Sequence, residues 1–445
     1  MDSDDLVTNV ERVRRLDAAG ARAVVRAFAR PVVVDSGDIP FDAGDSLTAA
    51  THGTVSLERT AGHDGDAAQL GHYKTTLRLA ALDRLPLSVA RELGRHRGHL
   101  YLDALPRITD AVAAELAAHT CGGLSLNGLR SLSNGAATAL GTHGGELSLN
   151  GLRRLSTAAA LGLARHANEL YLDGLRRLSP AAAAALSRHA GDLSLDGLAA
   201  VSARTATHLA RHRGKLHLHS LTELGDTVAA VFGGRSGYLC LKRVRRLSPR
   251  QARRLARHTG PLHLYSVEVT DDVAVCLGRH SGSLMIRVPD EIPIHRLAAL
   301  VRHDGPLALQ GLATLDERRA VVLAAQKGRG GFAGLSGLFL DHVTRLTPAV
   351  AAILAGHRGG CLSLNGLKVL SEDVARALVR HPLVSLDRLT SVTDRVATIL
   401  AGHAGATLSL RGLERASAAA VASLRDNPGI ELPPRFAAPP ARRGA

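Results

Sequence analysis

The chain is very poor in aromatic residues. Phe, Tyr and Trp together make up 2% of its 445 residues, and Trp is absent. The core must therefore be built from aliphatic side chains, mainly Leu, Ala and Val. The shortage of rings also leaves few platforms on which the bases of a single-stranded nucleic acid would stack.

Cysteines and long apolar runs are scarce as well. The four cysteines, Cys121, Cys240, Cys276 and Cys361, are scattered and form no CxxC pair, which argues against a disulfide framework and favours a reducing compartment. No stretch reaches the ~18 apolar residues needed to span a bilayer, and the N-terminus has no apolar run of signal-peptide length. We therefore expect a cytoplasmic protein with no membrane contact.

Recognisable catalytic patterns are missing. No Ser/His/Asp grouping, carboxylate pair or HExxH motif occurs with catalytic spacing. The Gly-rich segment 327–337 lacks the GxxxxGK[ST] order of a phosphate-binding loop, so we interpret it as a flexible loop or a hinge. The sequence predicts a protein that is not an enzyme and uses no cofactor.

Positive charge, by contrast, is abundant. The formal net charge is +15, and nearly all of the positive charge is Arg, since Lys occurs at only five positions. Such a balance attracts nucleic acid, anionic membrane surfaces or acidic proteins. The Arg content accompanies abundant Ala and Gly, which indicates a compositional bias, so charge alone does not identify a partner.

A repeat of about 23 residues covers most of the chain. Three consecutive copies, LSLNGLRSLSNGAATALGTHGGE, LSLNGLRRLSTAAALGLARHANE and LYLDGLRRLSPAAAAALSRHAGD, begin at Leu124, Leu147 and Leu170. Counted from the first Leu of the LxL pair, apolar residues fall at positions 0, 2, 5, 8 and usually 16, Ser or Thr at position 9, and His near position 19. The pairs start at Leu77, Leu100, Leu124, Leu147, Leu170, Leu193, Leu216, Leu239, Leu262, Leu284, Leu307, Leu338, Leu362 and Leu408, with a variant at Val384 and weaker copies at Val32, Val55 and Ile430.

Each copy predicts one strand and one helix. The LxL pair has the period of two that places both leucines on one side of a strand. The Ser or Thr at position 9 predicts a helix N-cap, and we expect Gly near position 20 to end the helix. The expected caps are Ser133, Ser156, Ser179, Ser202, Ser248, Thr347, Ser371 and Thr393. About eighteen such units predict a right-handed α/β solenoid, with a parallel concave sheet and a helical convex layer.

The motif LxLxGLxxLSxxAAxxLAxH resembles the leucine-rich-repeat superfamily. It is most similar to the cysteine-containing subtype of F-box proteins, in a shorter unit. Leu129, Leu152, Leu175 and Leu198 stand where that subtype has Cys or Asn, and no F-box segment is visible, so no ubiquitin-ligase role is implied. The resemblance implies a horseshoe that binds another macromolecule through its concave strand face.

The repeat also sets the expected domain boundaries. Residues 1–31 match the second half of a unit and predict an N-terminal capping helix. Residues 32–432 form the predicted solenoid, with the insertion at 327–337. Residues 433–445, rich in Pro and Arg, predict a disordered tail.

Histidine and arginine recur together near the end of each unit. We interpret the histidines as structural, with each imidazole capping its helix and bonding backbone between coils; a pH-sensing or metal-binding ladder is the alternative. We interpret the arginines as a solvated basic edge, with phosphate contact as the alternative. The histidines are His52, His72, His96, His119, His143, His166, His189, His212, His258, His280, His303, His357, His381 and His403. The arginines are Arg95, Arg165, Arg188, Arg211, Arg257, Arg279, Arg302 and Arg380, joined by the pairs Arg153/Arg154, Arg176/Arg177 and Arg245/Arg246.

Positions 1 and 3 of each strand predict the exposed strand face. Most units repeat Ser with Asn or Asp there, a regularity that indicates a structural role. Larger and more varied side chains break this pattern near the middle of the chain. The predicted partner-binding residues are Tyr171, His217, His219, Lys242, His263, Tyr265 and Arg287.

A zinc site is a weaker alternative within the same patch. His217, Cys240 and His263 share position 1 on three successive strands. Because parallel strands lie ~4.8 Å apart, the outer two histidines would just reach one ion. Lys242 would repel a cation there, so we favour a polar contact patch and expect no metal.

These observations predict a monomeric, non-enzymatic scaffold that binds a protein through its concave strand face. The alternative is an anion-binding or nucleic-acid-binding scaffold that uses the Arg stripes. The salt dependence of binding distinguishes the two functions, because binding driven by phosphate contacts weakens steeply as ionic strength rises.

Overall fold

The computed structural model describes residues 75–119, 122–328 and 336–436. The chain divides into two compact units, Met1–His219 and Ser220–Ala445, and each is described by itself. The capping helix predicted for residues 1–31 and the weak repeats at Val32 and Val55 lie outside the described residues. So does most of the predicted insertion, residues 329–335.

In the first unit, short strands alternate with helices of seven or eight residues. We call each strand, its following loop and its helix a coil. The elements are β1 (Thr75–Arg78), α1 (Leu87–Leu93), β2 (Gly98–Tyr101), α2 (Asp110–Ala117), β3 (Leu124–Ser125), α3 (Asn134–Leu140), β4 (Leu147–Ser148), α4 (Thr157–Leu163), β5 (Leu170–Tyr171), α5 (Pro180–Leu186), β6 (Leu193–Ser194), α6 (Ala203–Leu209) and β7 (Leu216–His217).

The second unit continues the same alternation. Its elements are α7 (Asp226–Gly233), β8 (Leu239–Cys240), α8 (Pro249–Leu255), β9 (Leu262–Leu264), α9 (Asp271–Leu277), β10 (Leu284–Arg287), α10 (Ile294–Val301), β11 (Leu307–Gln310), α11 (Glu317–Ala324), β12 (Gly337–Phe339), α12 (Pro348–Leu354), β13 (Cys361–Ser363), α13 (Glu372–Leu378), β14 (Leu383–Ser385), α14 (Asp394–Ala401), β15 (Thr407–Ser409), α15 (Ala418–Arg425) and β16 (Ile430–Glu431).

The strands of each unit form a parallel sheet in sequence order. Strands β1 to β7 follow one another in the first unit, and β8 to β16 do so in the second. The register pairs equivalent leucines, as in Leu124 with Leu147 and Leu147 with Leu170. The predicted strands are therefore confirmed, and the protein is an α/β solenoid of repeated strand–helix coils.

The core of each coil lies between its strand and its helix. In the coil that begins at β4, Leu147, Leu149, Leu152 and Leu163 are all fully buried. Burying a leucine side chain contributes about 1.5–3 kcal/mol. Leucines at the same positions of the adjacent coils cover this core from both sides, so no coil buries its leucines alone.

The helix starts follow the predicted caps. The Ser156 hydroxyl, for example, accepts a hydrogen bond from the Ala159 amide at 3.0 Å. All eight predicted caps are confirmed as N-caps whose side chains accept such a bond: Ser133, Ser156, Ser179, Ser202, Ser248, Thr347, Ser371 and Thr393. Further caps outside that list are Thr109, Thr270, Asp316 and Ser417.

The prediction that glycine ends each helix is wrong, because the helices end without help from that glycine. The helix caps Gly141 and Ala164 keep right-handed backbone angles, and the last turn closes when the His166 amide donates to the Leu163 carbonyl at 3.0 Å. The following glycine meets a different need. A Cβ at Gly145 would lie 1.7 Å from the Gly122 carbonyl oxygen, so glycine there permits close contact between the backbones of adjacent coils.

A short 3-10 turn, Pro434–Phe436, follows β16 and falls inside the segment predicted to be disordered. The Arg435 guanidinium donates to the Leu413 carbonyl at 2.6 Å. Residues 437–445 lie outside the described residues. Within the described ranges, no helix combines the length and apolarity that a bilayer crossing requires.

Candidate functional site

A hydrogen-bonded ladder occupies much of the strand face of the first unit. Asp103 Oδ1 accepts from the Ser125 hydroxyl at 2.6 Å and from the Asn127 amide at 2.8 Å. One coil later, Asn127 Oδ1 accepts in the same way from Ser148 at 2.7 Å and from Asn150 at 2.8 Å. Because these side chains bond adjacent coils, the interpretation of the regular Ser and Asn/Asp pattern as structural is confirmed.

The second unit contains the same ladder near its end. Asp341, Asn365 and Asp387 each accept from the amide of the next coil, at distances between 2.7 and 3.1 Å. Polar residues of this kind already have partners inside the protein. Residues that depart from the pattern are therefore the ones that the repeat itself does not require.

Tyr171 is one such departure in the first unit. It lies half-buried on β5, between Ser148 and Ser194 of the neighbouring strands. Burial, together with the negative charges of Glu146 and Glu169, raises the pKa of Tyr171 to about 12. The phenol is therefore neutral at physiological pH and can donate a hydrogen bond to a partner.

His217 and His219 lie at the last described strand of the first unit. Their rings meet edge to face, with centroids 5.3 Å apart. His219 Nδ1 lies 2.6 Å from Asp196 Oδ2. Burial alone would raise the pKa of Asp196, but hydrogen bonds from His219 hold it below its usual value. His219 is thus oriented by the ladder, while burial and the neighbouring His219 lower the pKa of His217.

In the second unit, position 3 carries Lys242, Tyr265 and Arg287 on three successive strands. Strand register places Tyr265 between the other two, and both cations are exposed. Position 1 carries His263, whose Nδ1 lies 3.0 Å from the Tyr238 hydroxyl and 3.4 Å from the Tyr265 hydroxyl. We call Tyr238, Lys242, His263, Tyr265 and Arg287 the aromatic–cationic patch.

The geometry gives no support to a zinc site. Cys240 is only 1% exposed, so its thiol is part of the core. Among the described residues, no three His, Cys, Asp or Glu side chains lie where one ion could be held by all of them.

The recurrent histidines form buried stacks. In the first unit, the rings of His96, His119, His143, His166, His189 and His212 lie parallel to one another, with successive centroids 5.5–6.1 Å apart and interplanar angles of 1–12°. The second unit contains stacks at His258, His280 and His303 and at His357 and His381. Their equivalents His52 and His72 lie outside the described residues.

Bonds from these rings to backbone cross from one coil to the next. His166 Nδ1 lies 3.1 Å from the His143 carbonyl oxygen, and His403 Nε2 lies 2.9 Å from that of His381. The expected bonding of these histidines to backbone between coils is confirmed at both positions. The expected capping of the preceding helix is wrong at His166, because its two ring nitrogens lie against the carbonyl groups of His143 and Glu169, outside that helix. Burial, reinforced by neighbouring rings, lowers the pKa of His143 and His166 to about 4 and that of His280 to about 3, so these three rings are neutral at physiological pH.

The arginines that precede the histidines are exposed to solvent, unlike the histidines themselves. Arg165, Arg188 and Arg302 are exposed, while the next residue of each is buried. The other predicted members of this row, Arg95, Arg211, Arg257, Arg279 and Arg380, are exposed as well. This exposure fits the expected solvated basic edge.

Comparison with known proteins found only distant similarity to solved structures. No protein-family model matches it, and no curated protein matches it significantly. An internalin from Listeria monocytogenes is 13% identical, covering 80% of this chain and 90% of its own, with a TM-score of 0.37. A chain of the Drosophila Toll–Spatzle complex is 14% identical, covering 76% of this chain and 42% of its own, with a TM-score of 0.32. A chain of the yeast Rad7–Elc1 complex is 16% identical, covering 67% and 92%, with a TM-score of 0.35.

Because these TM-scores lie below 0.5, the assignment rests on the repeat of the chain itself. Leucines at positions 0 and 2 of successive strands are buried and in register. The protein is an α/β solenoid whose strand–helix coils bury leucines in register.

Sequence reasoning missed Tyr238 within this solenoid. Tyr238 precedes β8 and so falls outside positions 1 and 3, yet its hydroxyl reaches His263. It also missed Arg78, whose guanidinium carbon lies 4.2 Å from the ring centroid of Tyr101 on β2. The rarity of tyrosine was the available signal, because four of the five tyrosines lie on or next to strands: Tyr101, Tyr171, Tyr238 and Tyr265.

Proposed function

We propose that the protein is a non-enzymatic scaffold that binds another protein through the strand face of its coils. The observation that carries the proposal is the concentration of tyrosines on that face in a chain with 2% aromatic residues. The aliphatic core does not use them. Tyrosine and arginine are enriched where protein partners bind most strongly, because both combine a large contact area with hydrogen bonding.

The aromatic–cationic patch is the part of this face that we assign to the partner. Lys242 and Arg287 flank Tyr265 in a row, and no acidic side chain stands at positions 1 or 3 of β8 to β11. A partner that presents carboxylates around an apolar contact would complement it. Taken by itself, the first unit has Tyr171, His217 and His219 as its own proposed binding residues.

Other properties of the proposal follow from the same chain. Cys240, Cys276 and Cys361 are free thiols, in keeping with a reducing, cytoplasmic setting. Leu129, Leu152, Leu175 and Leu198 are fully buried at the position of Cys or Asn in the F-box subtype. We therefore place the repeat as a shorter relative of that subtype, and we expect a monomer that uses no cofactor.

Affinity capture from nuclease-treated lysate, read by mass spectrometry, tests the proposal. Wild type is compared with Tyr265→Ala and with Val321→Ala, a matched control whose side chain is 59% exposed on helix α11. A protein captured by wild type and the control should bind Tyr265→Ala roughly 30-fold more weakly, as expected for a central interface tyrosine. Equal capture by all three, with equal melting temperatures, would overturn the assignment of this face.

A further inference from the structure

The loops that follow β3, β4 and β5 carry a cluster of arginines away from the strand face. Their sequences are NGLRSLS, NGLRRLS and DGLRRLS, at residues 127–133, 150–156 and 173–179. The first leucine of each loop is fully buried, and the last Ser of each loop caps the next helix, so all three loops have the same anchors. The exposed arginines are Arg130, Arg153, Arg154, Arg176 and Arg177, which we call the arginine edge.

No acidic side chain in the described part of the chain neutralises this edge. Within the described residues, none of the five guanidinium groups forms an ion pair, although arginines elsewhere, such as Arg91 and Arg376, do. The three loops contain one carboxylate, Asp173. Its Oδ1 accepts from the Ser194 hydroxyl at 2.6 Å and from the Asp196 amide at 2.9 Å, so it is engaged in the ladder.

A cavity of about 480 Å³ opens on the same edge. It is lined by Asn127, Gly128, Arg130, Gly151 and Arg153. The two glycines are required, since a Cβ would lie 2.2 Å from the Asp103 carbonyl oxygen at Gly128 and 2.1 Å from that of Asn127 at Gly151. Two unpaired guanidinium groups therefore flank a concave site with little side-chain bulk between them.

We propose that the arginine edge binds the phosphate backbone of a nucleic-acid duplex. Guanidinium groups bind phosphate oxygens in pairs of parallel hydrogen bonds. Adjacent coils lie ~4.8 Å apart at their strands, so three loops offer five cations over roughly 10 Å. A duplex suits this edge better than a single strand, because its bases are already stacked and only its phosphates face the protein. The three loops contain no aromatic residue on which an unpaired base would stack.

The inference is independent of the protein-binding role, because the edge lies on loops and the proposed protein site lies on strands. Contacts to phosphate alone carry no sequence information. The arginine edge thus binds a duplex of any sequence and leaves the strand face accessible.

The test measures binding of a fluorescent 20-base-pair DNA duplex by anisotropy between 50 and 200 mM salt. With four to five phosphates neutralised, log K should fall against log salt with a slope of about −4, which is a loss of roughly 200-fold over that range. The double variant Arg153→Gln/Arg154→Gln should reduce the slope to about −2 and the loss to about 15-fold. Two duplexes of different base composition should give the same values.

The control variant removes the same number of positive charges from a different part of the protein. Arg279→Gln/Arg302→Gln changes two exposed arginines of the second unit and should leave the slope unchanged. The proposal is overturned if both double variants lose affinity equally, since net charge alone would then explain binding. It is also overturned if a single strand of the same length or inorganic polyphosphate binds more tightly than the duplex, or if no binding occurs at 50 mM salt.

Discussion

His166 Nδ1 lies 3.1 Å from the carbonyl oxygen of His143, its counterpart one coil earlier, and its Nε2 lies 3.3 Å from the carbonyl oxygen of Glu169. A neutral imidazole carries one N–H, so it donates to one of these two carbonyl groups. The ring is 1% exposed and stacks on the rings before and after it. It therefore stabilises the contact between coils by packing and by one hydrogen bond.

The first prediction concerns this ring. His166→Ala should lower the free energy of unfolding by about 2–4 kcal/mol, because it leaves a cavity and removes a hydrogen bond between coils. Urea titration measures the change. Arg165→Ala, on the exposed neighbour, should stay within about 0.5 kcal/mol of wild type. A His166→Ala variant that keeps its stability but loses its protein partner would make the stack a binding element instead.

The second prediction concerns pH. The folded-state pKa of His119, His143 and His166 is about 4, against 6.5 for the free side chain. Between pH 6.5 and 4, these histidines are protonated in the unfolded chain but neutral in the folded chain. The free energy of unfolding is therefore highest above pH 6.5 and decreases as the pH falls towards 4. One such histidine corresponds to about 3 kcal/mol.

Urea midpoints measured between pH 7.5 and 4 check this expectation. They should fall steadily across the window, and the fall should be shallower in His166→Leu, which removes one titrating ring while keeping bulk. A flat profile in wild type would mean that the buried rings accept protons as readily as the unfolded chain does.

The third prediction concerns the leucine core. Leu149→Asp should destabilise the protein by at least about 4 kcal/mol, because it places an unpaired carboxylate at a position that is fully buried between Leu126 and Leu172. Leu161→Asp provides the control, since Leu161 lies on helix α4 of the same coil and is 43% exposed. Circular dichroism melts should separate the two variants clearly, and similar melts would contradict the strand assignment.

The fourth prediction is a stabilising change. Gly225 stands at the N-cap of α7 with φ −64° and ψ 153°, close to the angles of the Ser156 cap, and a Cβ there would meet no atom within 4 Å. Gly225→Ser should therefore add about 0.5–1 kcal/mol through a new cap and a less flexible unfolded chain. Gly151→Ser should do the opposite, because its Cβ would clash with the Asn127 carbonyl oxygen. A loss of stability at Gly225→Ser would show that the cap does not form.

Strands and caps were predictable because their signals are local. Ser156 caps its helix through an amide three residues away, and Leu147 and Leu149 share a face because a strand has a period of two. The seven predicted partner-binding residues lie on the strand face for the same reason. Their contacts were not predictable, since the Tyr238–His263 bond joins residues 25 positions apart.

Features that depend on the distance between the backbones of adjacent coils could not be predicted from the sequence. The burial of Cys240 and the clash that demands Gly145 both depend on neighbouring coils. The parallel orientation of the histidine rings is set by the same packing. The division after His219 has no counterpart in the repeat, whose spacing continues unchanged from Leu216 to Leu239.

The ladder that begins at Asp103 and passes through Asn127 has a direction. Each side-chain oxygen accepts from the coil that follows it in the sequence, so the acceptor exists before its donors are made. During synthesis from the N-terminus, the acceptor of each of these bonds therefore leaves the ribosome before its donors. At typical translation rates one coil is completed about every one to five seconds, which is ample time for it to settle before the next one emerges. The nascent protein can thus grow from its N-terminal side as a series of finished layers, each serving as the template for the next.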